Sequence, residues 1–546
     1  MNLGKTKLSF LLLFLFSTNV AFAQSEGEGR SYLIYALLAV AVFLFFLMLL
    51  QVADNLMAIE AKHTGADAKG GSFSIFPSWN EFFSRKLPEY VVDQPVTILK
   101  RGHDILLEGE AEKTIVNRLR KGSTFAVQPP NFIGISPIPK VVVEIGDTVK
   151  AGDTLFFDKK RPDIMYVAPV SGEIIAVNRG AKRSIAEVVI LADAKIQHKK
   201  FAKFDLAKSS REDLVAYLME SGVWPLIRQR PFDVVAEAEE VPRDIFISTF
   251  DTAPLAPDLS FVVEGKGEDF QKGLDVLSKL TDGAVHLGLS ANEEIPPSPV
   301  FTEASGVEKH WFSGKHPAGN VGVQIHHIKP IGTSDKVWTL GVQDVITIGA
   351  LFNKNIFDAS RLVALTGAQV NEPVYATTYI GAKMGDLLEG KVENKNVRII
   401  SGDVLSGKKK TGEKFLNIYD DQVTVIEEGD YYELFGWLLP IAPRPTISNT
   451  FPNFLFPDYK FEGDTNMHGE KRAFVVTGQY EKVLPMDIYP QHLMKAILVN
   501  DFERMEGLGI YELTEEDVAL CEFVCTSKQP LQDILRNGLN NMREQG

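Results

Sequence analysis

Val141-Val142-Val143-Glu144-Ile145-Gly146-Asp147-Thr148-Val149-Lys150-Ala151-Gly152-Asp153-Thr154-Leu155-Phe156 decides how the soluble part of this chain is read. Its short β-branched runs are split by two Gly-Asp pairs. Glycine takes the left-handed backbone without a steric penalty, so the pattern predicts strands at Val141 to Ile145 and Val149 to Phe156 joined by tight turns. A hairpin tip at Asp158 to Asp163 follows, and then Ala168-Pro169-Val170-Ser171-Gly172-Glu173-Ile174-Ile175-Ala176-Val177.

This order of strands and turns resembles the barrel-sandwich fold of biotinyl and lipoyl domains, assigned to residues 95–199. In those carriers a lysine at the hairpin tip bears the prosthetic arm, and Lys159 and Lys160 fall close to that place. Two solvated lysines on a turn is the favoured reading. Residues 200–357 change character. Ser210 with Asp213 forms a capping box, Leu214, Val215, Leu218 and Met219 supply an apolar face, and Gly222 stops the helix. Strands are expected at Asp244 to Thr249, Ser260 to Val263 and Ala284 to Leu289, with helical spacing at Phe270, Leu274, Leu277 and Leu280. Strand, helix and strand in this order imply a parallel, Rossmann-like layer. Its loop Glu264-Gly265-Lys266-Gly267-Glu268-Asp269-Phe270 lacks the third glycine of G-x-G-x-x-G. Carboxylates stand where a pyrophosphate would sit, which argues against dinucleotide binding.

The N-terminus sets the expected compartment. Lys5 and Lys7 precede an apolar run, and Ala21-Phe22-Ala23 ends it, as in a secretory signal over residues 1–23 or the first helix of a hairpin. Ser31 to Ala53 carries no charge and is long enough for a transmembrane helix. A juxtamembrane linker, 54–94, holds Phe73, Phe76, Trp79, Phe82 and Phe83 beside Arg85 and Lys86. That aromatic segment fits either a membrane interface or packing onto the soluble body. The expectation is a single-pass or hairpin anchor in an inner membrane, with the rest on the cytoplasmic side. With 57 basic against 71 acidic residues the net charge is -14, and no long Lys/Arg run occurs, so a nucleic-acid partner is excluded. The two cysteines, Cys521 and Cys525, are too few for a disulfide-built domain.

Arg361 to Gly367, Asn371-Glu372-Pro373-Val374-Tyr375 and Gly381 to Leu387 resemble an SLBB-type beta-grasp module, assigned to 358–445. A C-terminal helical domain is expected at 446–546, where Thr514 with Asp517 caps a segment through Cys521. Longer strings converge on one family: Ser221 to Phe232, Asp251-Thr252-Ala253-Pro254-Leu255-Ala256, His316-Pro317-Ala318-Gly319-Asn320-Val321-Gly322, Arg398 to Gly407, Phe435-Gly436-Trp437-Leu438-Leu439-Pro440 and Glu515 to Cys525. From about Leu99 onward the chain resembles the NqrA family of the sodium-translocating NADH:quinone reductases. The fold class is thus α+β multidomain, with a transmembrane helix, a barrel-sandwich hybrid, a Rossmann-like domain, an SLBB-type beta-grasp and a helical C-terminus.

The resemblance implies a subunit, beside partners B to F, of a membrane complex that moves electrons from NADH to ubiquinone or menaquinone and exports sodium. FAD, FMN, riboflavin and the iron-sulfur centre would belong to other subunits, and this chain would bind no cofactor. The N-terminal signal and span depart from the family, whose members begin near Lys100. No nucleophile-base pair, phosphate loop or metal set identifies a catalytic residue. Candidate functional residues are confined to the loop His316, Pro317, Gly319, Gly322 and His326, read as a place where another chain or a quinone headgroup approaches the backbone. His316, His326 and His327 are read as structural histidines, since adjacent His326 and His327 on a strand would point apart. Cys521 and Cys525 are expected to be core thiols, because an iron-sulfur cluster requires four ligands. The alternatives are an RnfC-like electron-transfer subunit, which needs cysteine clusters and a glycine-rich loop, and an SLBB-type binding module of an export system.

Overall fold

The computed structural model describes residues 35, 37–46, 48–50, 87–120, 122–436, 443–448 and 452–545. The expected signal, residues 1–23, and the aromatic segment at 73–86 lie outside them. The chain divides into two units, Met1–Lys86 and Leu87–Gly546. In the first, residues 37–46 and 48–50 are helical, and Phe43, Phe46 and Met48 are exposed. No helix among the described residues is long and apolar enough to cross a membrane. The run from Ser31 to Ala53 extends beyond them at both ends.

In the second unit the barrel-sandwich is built from two small antiparallel sheets. One orders Thr124–Val127, Ile185–Ala192, Gly172–Arg179 and Thr148–Val149, and the other Lys140–Val141, Thr154–Asp158 and Arg161–Val167. Between them Phe156 stacks on Tyr166 with ring centroids 4.9 Å apart, and Phe132 meets Tyr166 edge-on. Strand content is shorter than the sequence suggests. Of Val141 to Ile145 only Val141 falls within a strand, and Val149 to Phe156 breaks at Gly152, whose φ of +96° turns the chain. Buried Asp158 shapes the hairpin tip by accepting from the N–H groups of Lys160 and Ser136, which leaves Lys159 and Lys160 exposed.

The Rossmann-like layer is a seven-stranded sheet ordered Val96–Ile98, Glu308–Ser313, Val285–Ser290, Asp244–Ser248, Val337–Thr339, Arg228–Arg230 and Val234–Val235. The first five strands are parallel and the last two antiparallel additions. Ser260 to Val263, expected as a strand, falls on the helical turn Leu259–Val262 and its C-cap, Val263. Asp258 Oδ1 accepts from the N–H groups of Ser260 and Phe261 at 2.8 and 3.3 Å, and this cap outweighs the segment's β-branched content. On one side of the sheet, helices Gly267–Leu277 and Val342–Lys354 cross almost backbone to backbone. A Cβ on Gly349 would stand 1.7 Å from the Asp269 carbonyl oxygen, and one on Gly273 2.2 Å from that of Val345.

The beta-grasp part has six strands ordered Lys408–Lys410, Val397–Ser401, Gln422–Glu427, Ser360–Thr366, Val374–Tyr379 and Glu112–Asn117. Two early strands therefore serve other modules: Val96–Ile98 runs parallel to Glu308–Ser313 at the edge of the Rossmann-like sheet, and Glu112–Asn117 parallel to Val374–Tyr379. The C-terminal part packs Pro490–Leu498, Phe502–Gly507, Glu515–Phe523 and Leu531–Gln545 around Leu493, Met505, Val518, Cys521 and Leu535.

Replacing Gly349 with valine should lower stability by about 3 kcal/mol or more, since the overlap is with backbone that cannot rotate away. The check is the urea midpoint. By contrast, Lys159→Ala and Lys160→Ala should each stay within about 0.5 kcal/mol of the parent, and the peptide Asp158 to Pro162, released by cleavage before aspartate, should carry its unmodified mass.

Candidate functional site

The loop from His316 to Gly322 joins strand Glu308–Ser313 to helix Val321–Ile328 and sits where three parts of the chain meet. His316 is buried. Its backbone N–H donates to Asp104 Oδ1 at 2.9 Å, and its Nδ1 lies 3.2 Å from Thr252 Oγ1. The same hydroxyl accepts from the N–H of Gly319 at 2.9 Å. His316 Nε2 is buried without a hydrogen-bond partner, and burial holds the imidazole below its usual pKa.

Pro317 lends its carbonyl to the N–H of Asn320, closing the turn. Gly319 is in contact with the chain itself: an added Cβ would meet Thr252 N at 2.6 Å and Asp251 Cα at 2.9 Å. At Gly322 a Cβ would stand 2.3 Å from Arg230 Nη1 and 2.5 Å from Asp517 Oδ2. The neighbours filling the space beside both glycines are thus the segment Asp251-Thr252 and the Arg230–Asp517 pair.

His326 and His327 occupy the last turn of helix Val321–Ile328, not the strand on which they were expected to point apart. They remain separate in their partners. His326 Nδ1 lies 2.8 Å from Glu512 Oε2, and its Nε2 accepts from the N–H of Asp487 at 3.1 Å. His327 Nε2 donates to the Pro485 carbonyl at 2.7 Å. All three partners belong to the C-terminal part. The loop residues therefore come together as a joint: His316, Gly319 and Gly322 hold the crossing, and His326 lies a turn farther along.

The centre of that joint is a cation that no sequence motif singles out. Arg230, 1% exposed, donates through Nη1 to Asp517 Oδ2 at 3.0 Å and through Nη2 to Glu516 Oε1 at 2.6 Å. Asn320 Nδ2 donates to the Glu516 carbonyl at 3.0 Å. Nearby, Arg228 pairs with Asp233 at 3.0 Å and lies over the Tyr419 ring. The signal was present in Arg228-Gln229-Arg230, two arginines inside an apolar string, where a buried charge must find a carboxylate.

Cys521 and Cys525 are buried thiols. Burial pushes the Cys521 thiol well above its ordinary pKa, and Cys525 Sγ lies 2.8 Å from the Tyr480 hydroxyl. At the entrance to the Rossmann-like layer, the first turn of helix Gly267–Leu277 is engaged by the chain's own groups. Asp269 accepts from Lys354 Nζ at 2.7 Å and from Asn353 Nδ2 at 2.8 Å. A cleft of about 910 Å³ opens between the beta-grasp and C-terminal parts. Ile400, Leu405 and Phe523 give it apolar walls, and its polar lining includes Lys528 together with Arg398 and Lys409, both of which pair with Glu428. Burial, with Arg444 and Arg472 nearby, lowers the pKa of Lys528.

Three family models match in order. Residues 97–193 match the NqrA N-terminal barrel-sandwich hybrid domain, 209–356 the NqrA second alpha/beta domain and 362–412 the NQRA C-terminal domain. The NqrA protein of Neisseria meningitidis serogroup B, from its Na(+)-translocating NADH-quinone reductase, is 37% identical over 451 residues, 82% of this chain and 99% of that protein. The proteins of the same name from Yersinia pestis and Rhodopirellula baltica are each 38% identical, again over 99% of their length. An air-oxidised NAD+-reducing [NiFe]-hydrogenase aligns with 64% of this chain and 67% of its own at 11% identity and a TM-score of 0.31, too remote to bear on the site. With identity of this level across nearly the whole of those relatives, the chain belongs to the NqrA family.

Proposed function

We propose that this chain is the peripheral NqrA component of a sodium-translocating NADH:quinone reductase, a scaffold that carries no redox centre of its own. The observation that carries the reading is the joint. The leading segment at His103 and Asp104, the Rossmann-like sheet and the C-terminal helices are joined by polar contacts around His316 to Gly322, as suits a rigid docking body. In the proposal NADH, FAD, FMN, riboflavin and the iron-sulfur centre are handled by the partners B to F. Sodium export is a property of the complex.

The chain would sit on the cytoplasmic face of the inner membrane, with Ser31 to Ala53 as an added tether that raises its effective concentration at the membrane partners. Quinone association would fall to the 910 Å³ cleft, whose apolar walls suit a quinone ring and whose cations suit its carbonyl oxygens. Substitution of Lys528 by alanine tests this. It should raise the apparent KM for quinone several-fold while leaving NADH oxidation by an artificial acceptor unchanged.

Affinity purification of the tagged full chain from detergent-solubilised membranes should recover a flavin-containing complex with sodium-stimulated NADH:quinone reductase activity. Recovery of a colourless, inactive chain alone would overturn this reading in favour of an SLBB-type binding module. Gly322→Val, which forces a side chain against Arg230 and Asp517, should cut the yield of assembled complex at least tenfold. The exposed change Lys159→Ala should leave that yield unaltered.

A further inference from the structure

Away from the joint and the cleft, three donor atoms converge where strands Val285–Ser290 and Glu308–Ser313 begin. The strands are parallel neighbours with His286 paired to Glu308 and Gly288 to His310, so the three side chains share one end of the sheet. His286 Nδ1 lies 3.0 Å from His310 Nε2 and 3.3 Å from Glu308 Oε2, and His310 Nε2 lies 3.9 Å from the same oxygen. Bonds of about 2.0–2.1 Å to a tetrahedral ion separate the ligand atoms by about 3.3 Å. The triangle already has that size.

The environment of His286 explains why an ion belongs there. Its ring is 6% exposed and stacks on Phe246 with centroids 4.6 Å apart, so the imidazole has little freedom to turn. Its other nitrogen, Nε2, faces Asp244 Oδ1 at 3.5 Å. Asp244 is itself fixed by Arg243 Nε and Lys329 Nζ, each at 2.8 Å, and by the N–H of Ala284. With Nε2–H directed to Asp244, the Nδ1 lone pair accepts from His310 Nε2–H and also faces Glu308 Oε2, so a cation that displaces that proton engages all three donor atoms at once. This is the carboxylate–histidine–metal arrangement that fixes ligating imidazoles. Burial lowers the pKa of both His286 and His310, which keeps their lone pairs available near neutral pH.

We infer that His286, His310 and Glu308 form a site for a divalent transition metal of the zinc class, with Asp244 orienting His286. Two imidazoles and one carboxylate form a donor set that favours such ions over magnesium or calcium, which take oxygen ligands. His310 and Glu308 are partly exposed, at 28% and 61%, so the ion enters from solvent and keeps a position for water. The bound ion clasps two adjacent strands of the Rossmann-like sheet.

The test uses the full chain purified in detergent without a histidine tag, stripped with a chelator and titrated with Co2+. One equivalent should bind, give the intense visible absorption of a four-coordinate ion, be displaced by Zn2+, and raise the melting temperature. His310→Ala should weaken Co2+ binding at least a hundredfold and Glu308→Gln about tenfold. Both should melt like the metal-free parent, which separates ligand loss from misfolding. The exposed control His492→Ala should bind normally. A parent chain that takes up no Co2+, or uptake that survives His310→Ala unchanged, would overturn the assignment. So would a visible spectrum of a six-coordinate, fully hydrated ion.

Discussion

The contact between Arg230 and Asp517 is the constraint around which the larger unit is arranged. One partner sits on a short strand at the margin of the Rossmann-like sheet, the other in the first turn of a C-terminal helix, 287 residues later. Both are buried, and a charge removed from water with no counter-charge is so costly that loss of either partner destabilises by about 3–5 kcal/mol. The pair therefore contributes geometry more than net energy. Helix Glu515–Phe523 must approach the sheet at the angle that brings Asp517 onto the guanidinium. The chain can pass between them only where it has no side chain, at Gly322. Asp517 also closes the helix cap by accepting from the N–H and hydroxyl of Thr514 at 2.9 and 3.0 Å, so one carboxylate both starts the helix and docks it.

Local signals in the sequence translated into structure wherever the physics is local. The Ser210 box forms with both reciprocal bonds, Gly222 takes φ +80° to end that helix, and Cys521 and Cys525 lie in the core. The errors have local causes too. Ser260 to Val263 looked like a strand because it ends in Phe261-Val262-Val263, yet Asp258 supplies the hydrogen bonds that begin a helical turn at Leu259. His326 and His327 lie in the last turn of a helix that starts after Asn320, so the strand period of two assumed for them gives way to a period of 3.6.

What stayed hidden depends on distance along the chain. The Arg230 pair, the contact of Gly319 with Thr252 and the approach of His286 to His310 join residues 24 to 287 positions apart, and spacing alone does not encode them. Glycine was the nearest thing to a long-range signal. Gly273, Gly319, Gly322 and Gly349 all mark places where another stretch of backbone or a charged pair lies within van der Waals reach of the Cα. They were visible as glycines but not as partners.

The two early strands, Val96–Ile98 and Glu112–Asn117, have a bearing on how such a chain is made. Each completes a sheet whose other strands are encoded far downstream: Val96 pairs with Trp311, and Glu112 with Val374. At roughly 5–20 residues per second, a ribosome needs about 10–50 s to extend from the first partner to the second. During that interval the strand edges have nothing to pair with, and their apolar residues Val96, Ile98, Ile115 and Val116 stay available to other chains. The barrel-sandwich, by contrast, can close its two sheets from residues 124–192 as soon as they emerge. Biosynthesis of this protein is thus ordered from the middle outward, with its N-terminal strands the last of the early sequence to be secured.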